Sequence, residues 1–219
     1  MRKCCTKAIP GGRAFLRRLY DLTLGLTFPK QHVKLSKSAC LDLQAWLTFL
    51  KQFNGTTVIR HINWSHDFDW RFYSDASGRG YAAIFGHKWV HGAFPIQWES
   101  KNIAVKELVP IYLAFQLWAK DFQHSKIKFV VDNASVVAIL QNHTSTDPDI
   151  MYMIRHMVVL ALKHNIVFSA AHIPGRHNVI CDLISRFQVQ KALDMTPWLQ
   201  KSPHKVDEDL MPWFSDLHL

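Results

Sequence analysis

Four acidic residues in four different local settings are the part of this chain best suited to chemistry. They are Asp75 in Phe72-Tyr73-Ser74-Asp75-Ala76-Ser77, Glu107 in Val105-Lys106-Glu107-Leu108, Asp132 in Phe129-Val130-Val131-Asp132-Asn133, and Asp182 in Asn178-Val179-Ile180-Cys181-Asp182-Leu183. Asp75 and Asp132 each close an apolar, strand-like run, whereas Glu107 and Asp182 lie in helix-like runs. Carboxylates at strand ends and on covering helices can meet at one edge of a sheet. Once there they repel one another unless a cation lies between them. Mg²⁺, which prefers hard oxygen ligands, is the usual solution. The pattern therefore points to metal-dependent phosphoryl transfer. A single such Asp is more often a turn or cap residue; it is the set that carries the reading.

The elements that must position these residues follow from periodicity. The spacing of Phe15, Leu16, Leu19, Leu22 and Leu24 predicts a helix over 12–25. A second helix is expected over 37–53, capped by Ser36 or Ser38, with a stripe of Ala39, Leu43, Trp46, Leu47 and Leu50. Asn54-Gly55 reads as a turn. From Asp69 the pattern changes to three short strands, through Asp75, Tyr81–Phe85 and Trp89–Ile96, joined by Gly-rich turns as in an antiparallel meander. An amphipathic helix over 103–120, capped by Asn102, follows, and Pro110 should kink it just after Glu107. Ile127–Val131, apolar apart from Lys128, reads as a central strand covered on both faces. Helices over 134–141 and 147–163, a fifth strand over 166–171, and a last helix over 178–186 complete the order β-β-β-α-β-α-α-β-α. This is a mixed α/β architecture preceded by a small helical segment. The boundaries implied are a basic helical segment over 1–66, an α/β domain over 67–190, and a tail over 191–219. The tail, with Trp198, Trp213 and Phe214 among Pro, Asp and Lys, reads as a docking peptide or a flexible remnant.

Charge is distributed unevenly. Residues 1–60 hold 11 Lys and Arg against 2 Asp and Glu, a net of 11 − 2 = +9, while residues 61–219 hold 15 of each. The entire formal charge of +9 thus belongs to the first quarter of the chain, which suggests an arm for phosphate backbones; the bland alternatives are a solvated helical face or a surface that docks on an acidic partner. No apolar run approaches the roughly 20 residues that span a bilayer. The basic start leads to Pro10-Gly11-Gly12 and not to a signal sequence, so the expectation is an intracellular protein, in cytoplasm or nucleus, with no membrane partner. The four cysteines form no C-x-x-C pair and read as reduced thiols. His172, His177 and Cys181 could enter a zinc site on residue type alone, but no fourth ligand is evident.

Ser-Asp-Ala-Ser, Lys-Glu-Leu, Val-Asp-Asn and Ile-Pro-Gly…Asn…Asp-Leu-Ile-Ser-Arg, in this order, resemble the four motifs of the ribonuclease H family, above all the domains fused to retrotransposon reverse transcriptases. The resemblance covers roughly residues 68–188. It implies a five-stranded mixed sheet flanked by helices and cleavage of RNA in RNA–DNA hybrids. It also implies Asp75, Glu107, Asp132 and Asp182 as catalytic ligands of two Mg²⁺ ions, with Mn²⁺ as an alternative. Gly12-Arg13-Ala14-Phe15-Leu16-Arg17-Arg18-Leu19 and Asp42-Leu43-Gln44-Ala45-Trp46-Leu47 look like the region linking polymerase to ribonuclease H in DIRS-type, tyrosine-recombinase elements. The polymerase Asp-Asp motif is absent from this chain, so DNA synthesis by it alone is not expected and a polymerase domain is an implied partner.

Ser77, Arg79, Lys101, Lys106, Asn133, Arg176 and His177 are candidates for contact with the nucleic acid, and Asn178 for orienting a ligand. Helix caps are the plainer role for Asn133 and Asn178, surface turns for Ser77 and Arg79, and a structural part for His177. Many ribonucleases H carry a histidine loop before the last Asp; here His172 and His177 bracket a short one and neither matches cleanly. Trp89 and Trp98 are expected in the core. Two other readings stand beside the nuclease: a non-catalytic binding or assembly module of a decayed or domesticated element, and a different nuclease or strand-transferase on the same sheet.

Overall fold

The computed structural model describes residues 11–28, 30–52 and 71–212. The chain divides into two compact units, one N-terminal and one reaching to Pro212. The turn expected at Asn54-Gly55, the approach to the first strand at Asp69 and Trp70, and Trp213 and Phe214 lie outside the described residues.

In the N-terminal unit the single helix expected over 12–25 is broken. Gly11 adopts φ 75°, a 3₁₀ turn runs Gly12–Phe15, and α1 covers only Arg17–Asp21. The chain then turns at Thr23, whose hydroxyl donates to the Tyr20 carbonyl. The second helix, α2, forms over Lys37–Gln52, with the Ser36 hydroxyl accepting from the Ala39 amide as an N-terminal cap. Only part of its stripe is covered: Ala39 and Trp46 are buried, but Leu43, Leu47 and Leu50 are exposed. Trp46 donates to the Phe15 carbonyl, and Arg18 stands 3.6 Å from the buried Asp42 carboxylate.

The second unit is built on a five-stranded sheet: β1 Arg71–Ala76, β2 Gly80–Phe85, β3 Lys88–Ala93, β4 Lys126–Val131 and β5 Val167–His172, in the order β3-β2-β1-β4-β5. The three meander strands pair antiparallel; β4 pairs parallel to β1, and β5 parallel to β4. Helical crossovers supply the parallel strands: α3 Ile103–Trp118, α4 Ala134–Asn142 and α5 Pro148–Lys163. Two further helices follow, α6 Val179–Ser185 and α7 Val189–Met195. This is the five-stranded mixed sheet flanked by helices that the sequence resemblance implies.

The sheet carries a core on each face. All six residues of β2 are buried, as a strand covered on both sides requires. On one face Phe72 and Phe85 pack with Trp118 and Phe122 in a cluster of rings. On the other, Ala82 and Ile84 meet Cys181, Leu183 and Ile184 of α6 and Ala192 of α7. The α3 helix is not amphipathic as expected but buried on nearly every side, including Lys106 and Glu107. It packs against β1, β2, α4 and α5, which leaves Ile103 exposed and Gln116 and Leu117 half-buried. Pro110 lies inside it without ending it; the missing amide leaves the Lys106 carbonyl without its usual helical donor.

Beyond residue 190 the chain continues through α7 and then returns to the sheet. Residues 199–204 run along the outer edge of β3, where the Gln200 and His204 amides donate to the carbonyls of His87 and Trp89. The Trp89 indole donates to the Gln200 carbonyl and the Trp118 indole to His204 Nδ1. An edge strand that would otherwise offer open backbone groups is thereby closed.

Candidate active site

The parallel register of β1 and β4 brings the first two carboxylates together. Tyr73 pairs with Val130, an offset of 130 − 73 = 57, and the same offset sets Asp75 level with Asp132 just beyond β4. The second turn of α3 lays Glu107 against them. One carboxylate oxygen from each of Asp75, Glu107 and Asp132 lies within 4.8 Å of the others. Asp75 and Glu107 are buried, at 5% and 6% exposure, and Asp132 is half-buried.

Each inner carboxylate is held by one oxygen. Ser185 Oγ, fully buried at the end of α6, donates to Asp75 Oδ2 at 2.5 Å. The Ala76 amide donates to the Glu107 carboxylate, while Glu107 Oε2 is buried without a hydrogen-bond partner. Burial pushes Asp75 up to about 6; the Ser185 hydrogen bond pulls it down, and the nearby Asp132 and Asp182 charges raise it again. Burial, followed by the Asp75 and Asp132 charges, pushes Glu107 up to about 8. An orphaned buried oxygen, an all-oxygen donor set and carboxyls that resist ionising beside one another suit a hard divalent cation, so the residues present fit Mg²⁺.

The fourth carboxylate stands apart. Asp182 lies on α6 outside the group of three, its Oδ1 paired with Arg186 Nε at 2.7 Å one helical turn on. Its charge is nevertheless felt at Asp75.

The remaining candidates are placed as follows. Ser77 Oγ accepts from the Gly80 amide and donates to the Ser185 carbonyl, so it fastens the β1–β2 turn to α6. Arg79 is exposed. Lys101 pairs with Asp149. Lys106, expected to reach phosphate, is instead buried, its Nζ donating to the carbonyls of Gly78 and Glu99, because α3 has no solvent face at that position. Asn133 caps α4 by accepting from the Ser135 and Val136 amides. Arg176 and His177 are exposed on the 3₁₀ turn before α6. Asn178 is buried and donates to the Ser74 carbonyl, tying α6 to the strand that bears Asp75. His172 ends β5 and its Nε2 donates to the Asp132 carbonyl. Trp89 and Trp98 are in the core. No zinc set involving Cys181 forms among the described residues; the His/Cys/Asp/Glu group that converges there is the carboxylate trio. Sequence reasoning missed Ser185, although its place three residues after Asp182, one helical turn on, was a usable signal.

No known protein family matches the chain, and no curated protein does. Solved structures do. The chain is similar to ribonuclease H1 of the halophilic archaeon Halobacterium salinarum, at 16% identity and a TM-score of 0.45, over 57% of this chain and 98% of that one. It is also similar to the LC11 ribonuclease H1 in complex with an RNA/DNA hybrid, at 15% identity and a TM-score of 0.40, over 57% and 99%. A foamy viral protease-reverse transcriptase in complex with double-stranded DNA is matched over 77% of this chain and 38% of that one, at 12% identity and a TM-score of 0.33. Among the described residues, no helix is long and apolar enough to cross a membrane.

Proposed function

We propose that this chain is a ribonuclease H-type endonuclease that hydrolyses the RNA strand of RNA–DNA hybrids, with Asp75, Glu107, Asp132 and Asp182 holding two divalent ions, Mg²⁺ or alternatively Mn²⁺. The observation that carries the reading is the meeting of Asp75, Glu107 and Asp132 at one sheet edge, with a buried Glu107 oxygen left unpartnered. Bound Mg²⁺ supplies Lewis-acid activation of water and neutralises charge at the leaving oxygen. The chain's own residues set the stage. The Ser185 hydroxyl and the Ala76 amide each engage one carboxylate, which fixes how Asp75 and Glu107 present their remaining oxygen. The exposure of Arg79, Arg176 and His177 supports a role for them in contacting phosphates, whereas Lys101 is engaged with Asp149. A hybrid would be read by shape, phosphates and the 2′-hydroxyl, with little sequence preference.

The basic segment over 1–60 fits the linking region of a DIRS-type reverse transcriptase, which gives the α/β domain a polymerase partner and an arm for the hybrid backbone. A second reading, a module that binds hybrids without cutting them, is favoured by Asp182, whose carboxylate pairs with Arg186 and is not one of the three that converge. The purified chain with end-labelled RNA in a hybrid, and with double-stranded RNA and DNA as controls, separates the two. The nuclease reading expects Mg²⁺-dependent cutting of RNA in the hybrid, abolished by chelation. Salt-sensitive binding with no cut in Mg²⁺ or Mn²⁺ establishes the second.

A further inference from the structure

Lys106 precedes Glu107 in the sequence and is 4% exposed. A lysine stem is easily buried, but its ammonium needs acceptors for its N–H groups when water is excluded. Here it has two: the Gly78 carbonyl at 3.1 Å and the Glu99 carbonyl at 3.0 Å. The ammonium also stands 5.9 Å from the centre of the Phe94 ring, on its face. It makes no ion pair among the described residues. Both of its acceptors are main-chain carbonyls, so its hydrogen bonds anchor loops.

The two carbonyls belong to separate loops. Gly78 lies in the turn that leaves β1 directly after Asp75, and Glu99 in the segment entering α3, so Lys106 joins both to the helix that carries Glu107. Both loops wall one groove of about 410 Å³, closed further by Phe94, Ile96 and Phe187, with exposed Arg79 at its rim. Among the described residues, the Phe94 amide donates to the Arg79 carbonyl where these loops meet, next to the Gly80–Ala93 pair that ends the β2–β3 ladder. A methionine would fill the stem's volume without desolvating a charge. What the charge adds is a tether between walls that the backbone alone holds by few bonds.

We propose that Lys106 is a positioning residue, which fixes the β1–β2 turn and the loop before α3 relative to Glu107 so that the groove accepts a nucleic-acid backbone beside the carboxylates. This rests on the hybrid-nuclease reading for its ligand, but not for its geometry. The test uses the full chain with Lys106→Met and the charge-keeping Lys106→Arg.

Amide exchange of the free proteins reads the geometry. In Lys106→Met, exchange at Gly80, Phe94 and Lys101 should quicken by about tenfold while Phe129 in β4 is unchanged, and Lys106→Arg should restore protection. Cleavage kinetics read the function: KM for the hybrid should rise by about tenfold in Lys106→Met with kcat within about twofold, the split expected when substrate placement alone is lost. Unchanged exchange overturns the proposal, as does a loss confined to kcat. If the wild-type chain neither binds nor cuts hybrids, the nuclease reading fails and the exchange result alone decides whether Lys106 holds the loops. If both variants fail to fold, the ammonium serves the whole domain and the local role is overturned.

Discussion

Replacing Glu107 by Gln should make the metal-free protein more stable, by an amount that grows with pH. The unfolded carboxyl titrates near 4.5 and the folded one near 8. Below pH 4.5 the proton is bound in both states and the group contributes nothing. As pH rises, the unfolded state ionises while the buried carboxyl keeps its proton, so the folded state is progressively disfavoured until pH 8 and constantly thereafter. From pH 4.5 to 7 the gap is 7 − 4.5 = 2.5 pH units, or about 3 kcal/mol at ~1.36 kcal/mol per unit. Gln keeps the acceptor for the Ala76 amide and cannot ionise. Urea unfolding followed by tryptophan fluorescence, in chelator, should show the variant gaining about 3 kcal/mol on wild type between those pH values. Saturating Mg²⁺ should close the gap by stabilising wild type alone. Stability curves that run parallel across this range would refute the claim that Glu107 is buried beside like charges.

Other outcomes follow from the same contacts. Gly80→Ala places a Cβ 2.5 Å from the Ser185 carbonyl oxygen and 2.7 Å from the Phe187 ring, so it should cost about 2 kcal/mol or more in denaturant unfolding. Ser185→Ala removes the hydrogen bond that holds Asp75 down, so Asp75 should titrate higher still; Mn²⁺ titration should show weaker binding below neutral pH, at little cost in metal-binding capacity above it. Arg186→Ala frees Asp182 from an exposed pair and should change unfolding free energy by less than about 1 kcal/mol; a larger loss would mean that the pair does more than hold a surface carboxylate.

The sheet was legible because its strands are short apolar runs bounded by Gly, Asn and Pro, and because α4 and α5 announce themselves with Asn133 and Asp147 caps. The pairing of Asp75 with Asp132 needed only that β1 and β4 be neighbours, which a crossover through α3 provides. Three things were hidden. Burial on nearly all sides leaves α3 no polar face, so periodicity could not tell that Lys106 points inward. The break near Leu16 arises where φ and ψ depart from the helix at −105° and −18°, in a stretch whose apolar spacing still reads as one helix. The order of residues 199–204 depends on long-range pairing with the β3 edge, which leaves no local periodic trace. Asp182 is the subtlest case: sequence places it on α6, but only the structure shows Arg186 competing for it.

Cleavage of the RNA strand in a defined hybrid by the full chain, wild type beside Asp75→Asn, tests the carboxylate cluster most directly. Wild type should cut in a Mg²⁺-dependent manner, and Asp75→Asn, still folded, should lose at least about a hundredfold of that activity. Equal cutting by both proteins would overturn the metal-ligand role of Asp75.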